Sequence, residues 1–175
     1  MRAVVVDDHG EVLADRTPED LARERETAKE AHRSAGLHVV YQRMDGDRVG
    51  AYGIEMQGRG LWGPISGYLA IAPDGETVSG ATFFAPQETP GLGYQITSAE
   101  FGARWYGKKV YANGVPTRIR VVKGDPERVC GDQAYQCVDG ISGATLTSRG
   151  VDAMVDEALK TYEPYLERVR SGGAR

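Results

Sequence analysis

The chain has 175 residues with a formal net charge of −4, 41% apolar residues and 26% charged residues, the composition of an ordinary globular domain with a sizeable core. The negative balance, with basic residues scattered among acidic ones, argues against a protein that binds the nucleic-acid backbone. No run of about 18 apolar residues occurs, and residues 1–10 are too polar for a signal peptide, so we expect no membrane span in this chain.

Apolar runs bounded by turn residues predict six strands. They cover residues 2–6, 37–43, 48–55, 68–72, 78–85 and 118–123. Asp-Gly turns at residues 45–46 and 74–75 join two pairs of these strands, so antiparallel hairpins are expected.

A first helix is predicted over residues 17–35, with Thr17 as the capping residue and Asp20 completing a weak capping box. Its many charges and few large apolar residues indicate a surface helix, which Gly36 would end. A second, short helix is predicted over residues 100–106.

The last helix has the clearest pattern. Apolar residues recur at three-and-four spacing from Val151 to Tyr162, as on one buried helical face, and Pro164 should kink or stop the helix. Hairpins followed by helices, without βαβ alternation, predict an α+β domain: a mainly antiparallel, twisted sheet with flanking helices.

No constellation for hydrolytic or metal chemistry is expected. The three histidines, His9, His32 and His38, lie in the N-terminal quarter, and the chain has no GxSxG, HExxH or P-loop motif. Cys130 and Cys137 are separated by six residues with no histidine nearby, which disfavours zinc. A disulfide and two free thiols remain equally open for this pair.

Residues 139–148, Asp-Gly-Ile-Ser-Gly-Ala-Thr-Leu-Thr-Ser, directly precede the apolar pattern of the last helix. Gly143 and Ala144 are small enough to let a ligand approach the backbone. Three hydroxyls follow, on Thr145, Thr147 and Ser148. A helix N-terminus with unpaired amides and such hydroxyls suits a phosphate, although a plain N-capping turn explains the same residues.

Residues 88–93, Glu-Thr-Pro-Gly-Leu-Gly, have the composition of a tight turn. Such a turn would place Thr89 and Leu92 against a flat ring, whereas the alternative is an ordinary surface loop. Residues 58–63 formally fit GxGxxG, but Pro64 and a strand follow where a dinucleotide fold needs a helix, so we reject that interpretation.

Three further residues could lie near such a ligand, and two of them have a second interpretation. Trp62 either frames a ligand site or is buried in the core. Lys123, at the end of a strand, is either a phosphate partner or a solvated lysine. Arg149, just after the hydroxyl cluster, is an equally good phosphate partner.

Residues 139–145 resemble the flavinylation motif of the FMN-binding domains in the C-type subunit of the sodium-pumping NADH:quinone oxidoreductase and in the G-type subunit of the Rnf complex. Residues 88–93 resemble the flavin-contacting loop of this family. Residues 58–62, Gly-Arg-Gly-Leu-Trp, resemble the version in the sodium pump more than the Rnf version. The resemblance covers roughly residues 37–170, in the order of the family.

The resemblance implies FMN joined through its phosphate to the final threonine of the motif, here Thr145, by a flavin transferase. Asp139 and Ser142 would belong to the modification motif, with Asp139 serving the transferase or fixing the turn. The implied cofactor-binding residues are Thr145, Glu88, Thr89, Leu92, Gly143, Ala144, Leu146, Thr147, Ser148, Lys123 and Trp62, with Leu61 beside Trp62. Thr147 and Ser148 would hold the phosphate, and Glu88, Thr89 and Leu92 would contact the ring or the ribityl chain.

We also expect a single domain, organised as follows. Residues 1–36 would pack as a strand and surface helix on the same domain, residues 37–170 would form the FMN-binding domain, and residues 171–175 would be a flexible tail.

The implied function is electron transfer within a bacterial, sodium-translocating NADH:quinone reductase that reduces ubiquinone. The partners would be the other subunits of the membrane complex. The domain would lie on the periplasmic or extracytoplasmic side of the inner membrane, anchored by an N-terminal helix that this chain lacks. The alternatives are an Rnf-type or free-standing extracytoplasmic flavoprotein, or a binding or assembly module without flavin.

Overall fold

The computed structural model describes residues 1–27 and 36–173, and its centre is a five-stranded antiparallel sheet in chain order. The strands are β1 (Arg2–Asp7), β2 (Leu37–Asp45), β3 (Arg48–Arg59), β4 (Pro64–Ile71) and β5 (Val78–Phe84). Both predicted hairpins are confirmed. The chain also turns directly from β3 to β4 without a helix, which confirms that the GxGxxG pattern is not a dinucleotide motif.

Helices and two small sheets complete the α+β fold, which confirms the predicted class. The helices are α1 (Pro18–Thr27), α2 (Ala99–Ala103), α3 (Pro126–Cys130) and α4 (Thr145–Arg170), with 3-10 turns at Gly93–Thr97 and Gly131–Gln136. The short strands are β6 (Tyr111–Ala112), β7 (Val115–Pro116), β8 (Arg120–Val122) and β9 (Cys137–Asp139). β6 and β7 pair antiparallel, whereas β8 and β9 pair in parallel.

The N-terminal helix begins as the sequence predicts. The Asp20 amide donates to Thr17 Oγ1 at 3.1 Å, and the Thr17 amide donates to Asp20 Oδ2 at 3.2 Å, which completes the capping box. Leu21 is fully buried against Val5 and Val39, so α1 packs on β1 and β2. Residues 28–35 of the predicted helix, like residues 174–175 of the predicted tail, lie outside the described residues.

The last helix packs on β3 along the predicted apolar face. Val151, Met154, Val155, Ala158, Leu159 and Tyr162 are all buried. Of the two expectations for Pro164, a kink or a stop, the stop is wrong, because α4 continues to Arg170. Tyr165, Leu166 and Val169 are also buried, and this burial offsets the hydrogen bond that proline cannot donate.

Candidate functional site

Thr145 is the first residue of α4, and its side chain is exposed. The preceding cap position is occupied by Ala144, which has no side-chain acceptor for the first amides of the helix. Those amides, together with the positive end of the helix dipole, form the kind of site that binds a phosphate. The sequence therefore places an accessible hydroxyl beside amides that no capping side chain satisfies.

The turn before Thr145 is held by contacts from two other segments. Asp139 Oδ1 accepts a 2.9 Å hydrogen bond from the Gly124 amide. Arg104 Nη1 donates to the carbonyls of Asp139 and Gly140 at 3.1 and 3.0 Å. Gly143 has a φ of +78°, which a non-glycine residue rarely adopts. The Asp139 carboxylate thus connects the start of this turn to Gly124, and Arg104 is a further contact that no sequence signal marked.

Glu88 connects the three segments that form the site. Its Oε1 accepts from the Trp62 amide at 2.8 Å, and its Oε2 accepts from Thr147 Oγ1 at 2.6 Å. The residue is only 4% exposed. A carbon atom placed on Gly93 would overlap the Glu88 carboxylate and the Thr147 hydroxyl, so the loop of residues 88–93 lies tightly against the first turn of α4.

This arrangement gives Glu88, Thr147 and Ser148 partners other than those that we expected. Thr147 is 1% exposed and its hydroxyl donates to Glu88. Ser148 Oγ accepts from the Ile141 amide at 3.2 Å and is also buried. These hydroxyls hold the turn and the loop together, and the Glu88 side chain points inward, between the loop and α4.

Exposed apolar side chains project from the same three segments. Trp62 is 63% exposed, so the alternative that it is buried in the core is wrong. The exposed apolar residues here are Leu61, Trp62, Leu92 and Leu146. Leu92 lies over the turn, since a carbon atom on Gly143 would sit 3.0 Å from Leu92 Cδ2. Exposed apolar surface beside a polar anchor is typical of a ligand-binding site.

The remaining predicted residues lie around this surface. Thr89 and Ser142 are exposed. Lys123 is exposed immediately after β8, where the Val122 carbonyl accepts from the Gly140 amide at 2.8 Å, so it flanks the turn. Arg149 is exposed one helical turn after Thr145, on the same helical face. Both cations remain candidates for the phosphate.

The structure joins Cys130 and Cys137 in a disulfide. It links the end of α3 to the start of β9, whose last residue, Asp139, begins the turn of the candidate site. An open depression of about 420 Å³ lies beside this turn, lined by Arg104, Asp125, Pro126 and Asp139. Among the described residues, no cluster of His, Cys, Asp and Glu side chains is suited to a metal ion.

The geometry fits FMN. A flavin mononucleotide needs an anchor for its phosphate and apolar surfaces for its flat ring. The exposed Thr145 hydroxyl and the first amides of α4, which no side chain caps, are suited to the phosphate, and the exposed Trp62, Leu92 and Leu146 side chains are suited to the ring.

Residues 60–160 match the model of the family described as FMN-binding domain, and the chain belongs to this family. The C-type subunit of the Na(+)-translocating NADH-quinone reductase of Vibrio parahaemolyticus is 38% identical over 155 residues, which cover 87% of this chain and 58% of that protein. The protein of the same name from Chlamydia pneumoniae is 42% identical over 122 residues, covering 63% of this chain and 38% of that protein.

Crystal structures of relatives have the same fold. The C-type subunit of the Na(+)-translocating NADH-quinone reductase from Parabacteroides distasonis superposes with a TM-score of 0.76 at 33% identity, covering 95% of this chain and 77% of that chain. NqrC from Shewanella oneidensis superposes with a TM-score of 0.79 at 25% identity, covering 97% of this chain and 84% of that chain. These relatives confirm the resemblance drawn from residues 37–170.

The chain spans 58% of the length of the Vibrio parahaemolyticus relative. No helix in the described ranges, 1–27 and 36–173, combines the length and apolarity needed to cross a bilayer.

Proposed function

We propose that this domain carries one FMN, joined through its phosphate to the Thr145 hydroxyl, and works as an electron carrier in a sodium-translocating NADH:quinone oxidoreductase. The observation that carries the proposal is the exposed Thr145 hydroxyl at the uncapped N-terminus of α4, surrounded by exposed apolar side chains. Covalent attachment keeps the cofactor on the domain where free flavin is scarce.

The residues of the chain supply attachment, position and electrostatics. The first amides of α4 stabilise the negative phosphate, and Arg149 and Lys123 flank it with positive charge. Gly143 and Ala144 keep the approach to Thr145 open, while Asp139 and Arg104 hold the turn in place. Trp62, Leu92 and Leu146 offer apolar surface to the ring. The FMN itself supplies the electron transfer.

The partners follow from the relatives, which are named as subunits of a reductase. We infer that the domain meets neighbouring redox subunits through the open side of the site, and that a flavin transferase loads the FMN.

An extracytoplasmic location agrees with the Cys130–Cys137 disulfide, because disulfides persist in oxidising compartments. Gene neighbours distinguish this system from an Rnf-type or free-standing flavoprotein.

The direct test is intact mass and visible absorption after coexpression with a flavin transferase. We expect a yellow wild-type protein with one FMN-sized mass increment, its complete loss in Thr145→Ala, and at least partial retention in Thr145→Ser, which keeps the hydroxyl. Thr82→Ala is the matched control, since Thr82 is an exposed threonine on β5, and it should be modified fully.

Covalent flavin on Thr145→Ala would refute the attachment site. A colourless wild type, with the transferase active on a control substrate, would instead favour a binding or assembly module without flavin.

A further inference from the structure

Trp62 is the largest exposed apolar side chain of the site, yet its backbone is held by a buried group. Its amide donates to Glu88 Oε1 at 2.8 Å, and the second carboxylate oxygen of Glu88 accepts from Thr147 Oγ1 at 2.6 Å. Glu88 and Thr147 are 4% and 1% exposed. Hydrogen bonds to a buried carboxylate are among the stronger ones in proteins.

The surrounding backbone leaves this carboxylate little freedom to move. Carbon atoms added to Gly60 and Gly93 would both overlap it, so the turn between β3 and β4 and the loop of residues 88–93 enclose it from two sides. The Arg59 carbonyl also lies against Gly150 of α4. The backbone of Trp62 is therefore held close to the N-terminal part of the helix that begins with Thr145.

We propose that Glu88 and Thr147 act as a positioning pair that holds Trp62 beside the flavin. Neither residue needs to touch the cofactor: Thr147 fixes the Glu88 carboxylate, and the carboxylate fixes the backbone of Trp62. The proposal rests on the proposed FMN site for the role of Trp62, whereas the link from Thr147 to Trp62 can be measured without flavin.

The first test uses the flavin-free protein and hydrogen exchange of single amides followed by NMR. Thr147→Val removes the hydroxyl at nearly constant volume, and Thr147→Ser keeps it. We expect the Trp62 amide to exchange about fivefold faster in Thr147→Val, the factor that corresponds to one net hydrogen bond. In Thr147→Ser it should stay within about twofold of wild type. The Leu69 amide, in the centre of β4, reports global opening and should change less.

Two results would overturn this link. One is an unchanged Trp62 amide in Thr147→Val, and the other is an equal acceleration at Trp62 and Leu69, which shows a loss of stability alone. Should Thr147→Val not fold, the wild type remains decisive, because a Trp62 amide that exchanges as fast as a free loop amide would contradict the bond to Glu88.

The second test uses the flavin-loaded protein and its flavin fluorescence lifetime. An indole beside an excited flavin quenches it by donating an electron, which returns to the indole as the pair relaxes. We expect Trp62→Phe to lengthen the lifetime, Thr147→Val to lengthen it partly, and Thr147→Ser to leave it unchanged.

Equal lifetimes in wild type and Trp62→Phe would overturn the placement of Trp62 beside the flavin. The positioning role of the pair would be overturned if Trp62→Phe lengthened the flavin fluorescence lifetime while Thr147→Val left it equal to that of the wild type. Failure of the FMN proposal can be told apart from failure of the positioning role. In the first case the wild-type protein carries no covalent flavin, and the amide-exchange test still measures the link from Thr147 to Trp62.

Discussion

The two ends of α4 differ more than their common helical structure suggests. At the N-terminal end, Thr145 and Leu146 are exposed, whereas at the C-terminal end Tyr165 and Leu166 are almost fully buried against the sheet. The buried end belongs to the core and stabilises the fold. At the exposed end, Thr145 and Leu146 contribute little burial, so these two side chains are free to serve a ligand, while Thr147 and Ser148 beside them are buried. Substitutions at the two ends should therefore separate stability from cofactor attachment.

The largest expected effect is at the buried end. Tyr165→Ala removes a ring that packs edge-on against Tyr52 at 5.8 Å between ring centroids, and we expect a loss of about 3–5 kcal/mol in the free energy of unfolding. Thr145→Ala should stay within about 0.5 kcal/mol of wild type, because the side chain is exposed. Urea unfolding of the flavin-free proteins measures both values, and similar losses for the two variants would contradict the division of α4 into a buried and an exposed end.

The next largest effect on stability is expected at the Cys130–Cys137 disulfide, in the segment that leads to the exposed N-terminal end of α4. Replacing both Cys130 and Cys137 by serine frees a short loop in the unfolded chain, so we expect a loss of roughly 2 kcal/mol. Wild type treated with a reductant should match the double variant in urea unfolding. If oxidised and reduced wild type were equally stable, the disulfide would not stabilise this side of the molecule.

A smaller effect is expected from Tyr165→Phe, which keeps the ring and removes only its hydroxyl. That hydroxyl accepts a 3.0 Å hydrogen bond from Gln42 Nε2, and Gln42 is also buried. Leaving the amide without this partner should cost about 1 kcal/mol. The double variant with Gln42→Leu should recover part of the loss, and an unrecovered loss would mean that the ring position, not the amide, is responsible.

The last effect is a change of stability that appears only at alkaline pH. Burial raises the pKa of the Tyr165 phenol from 10 to about 12, while the Gln42 hydrogen bond opposes the shift. Its pKa is thus higher in the folded state, so the neutral phenol stabilises the fold below about pH 10. This contribution is lost between about pH 10 and 12, because the unfolded chain releases its proton first.

Burial also raises the pKa of Tyr111 to about 12. Tyr165→Phe should therefore make the decline of stability with alkaline pH less steep without removing it. Urea titrations at several pH values measure this slope, and an identical slope in wild type and variant would contradict the assignment to Tyr165.

Local patterns predicted much of the fold. The turns at residues 45–46 and 74–75 predicted the hairpins, because such turns depend on a few neighbouring residues. The apolar spacing from Val151 to Tyr162 predicted the buried face of α4. The same patterns did not predict that α4 continues past Pro164, since this depends on burial of Tyr165 and Leu166 against strands far away in the chain.

The sequence by itself determined the antiparallel hairpins, the family and the motif that ends at Thr145, because these depend on residues that are close neighbours along the chain. The tertiary structure alone decided that Glu88 faces inward, that Trp62 is exposed and that Arg104 holds the turn before Thr145. These features depend on contacts between residues that are distant in sequence, and a linear pattern contains no record of which side chains the folded chain brings together.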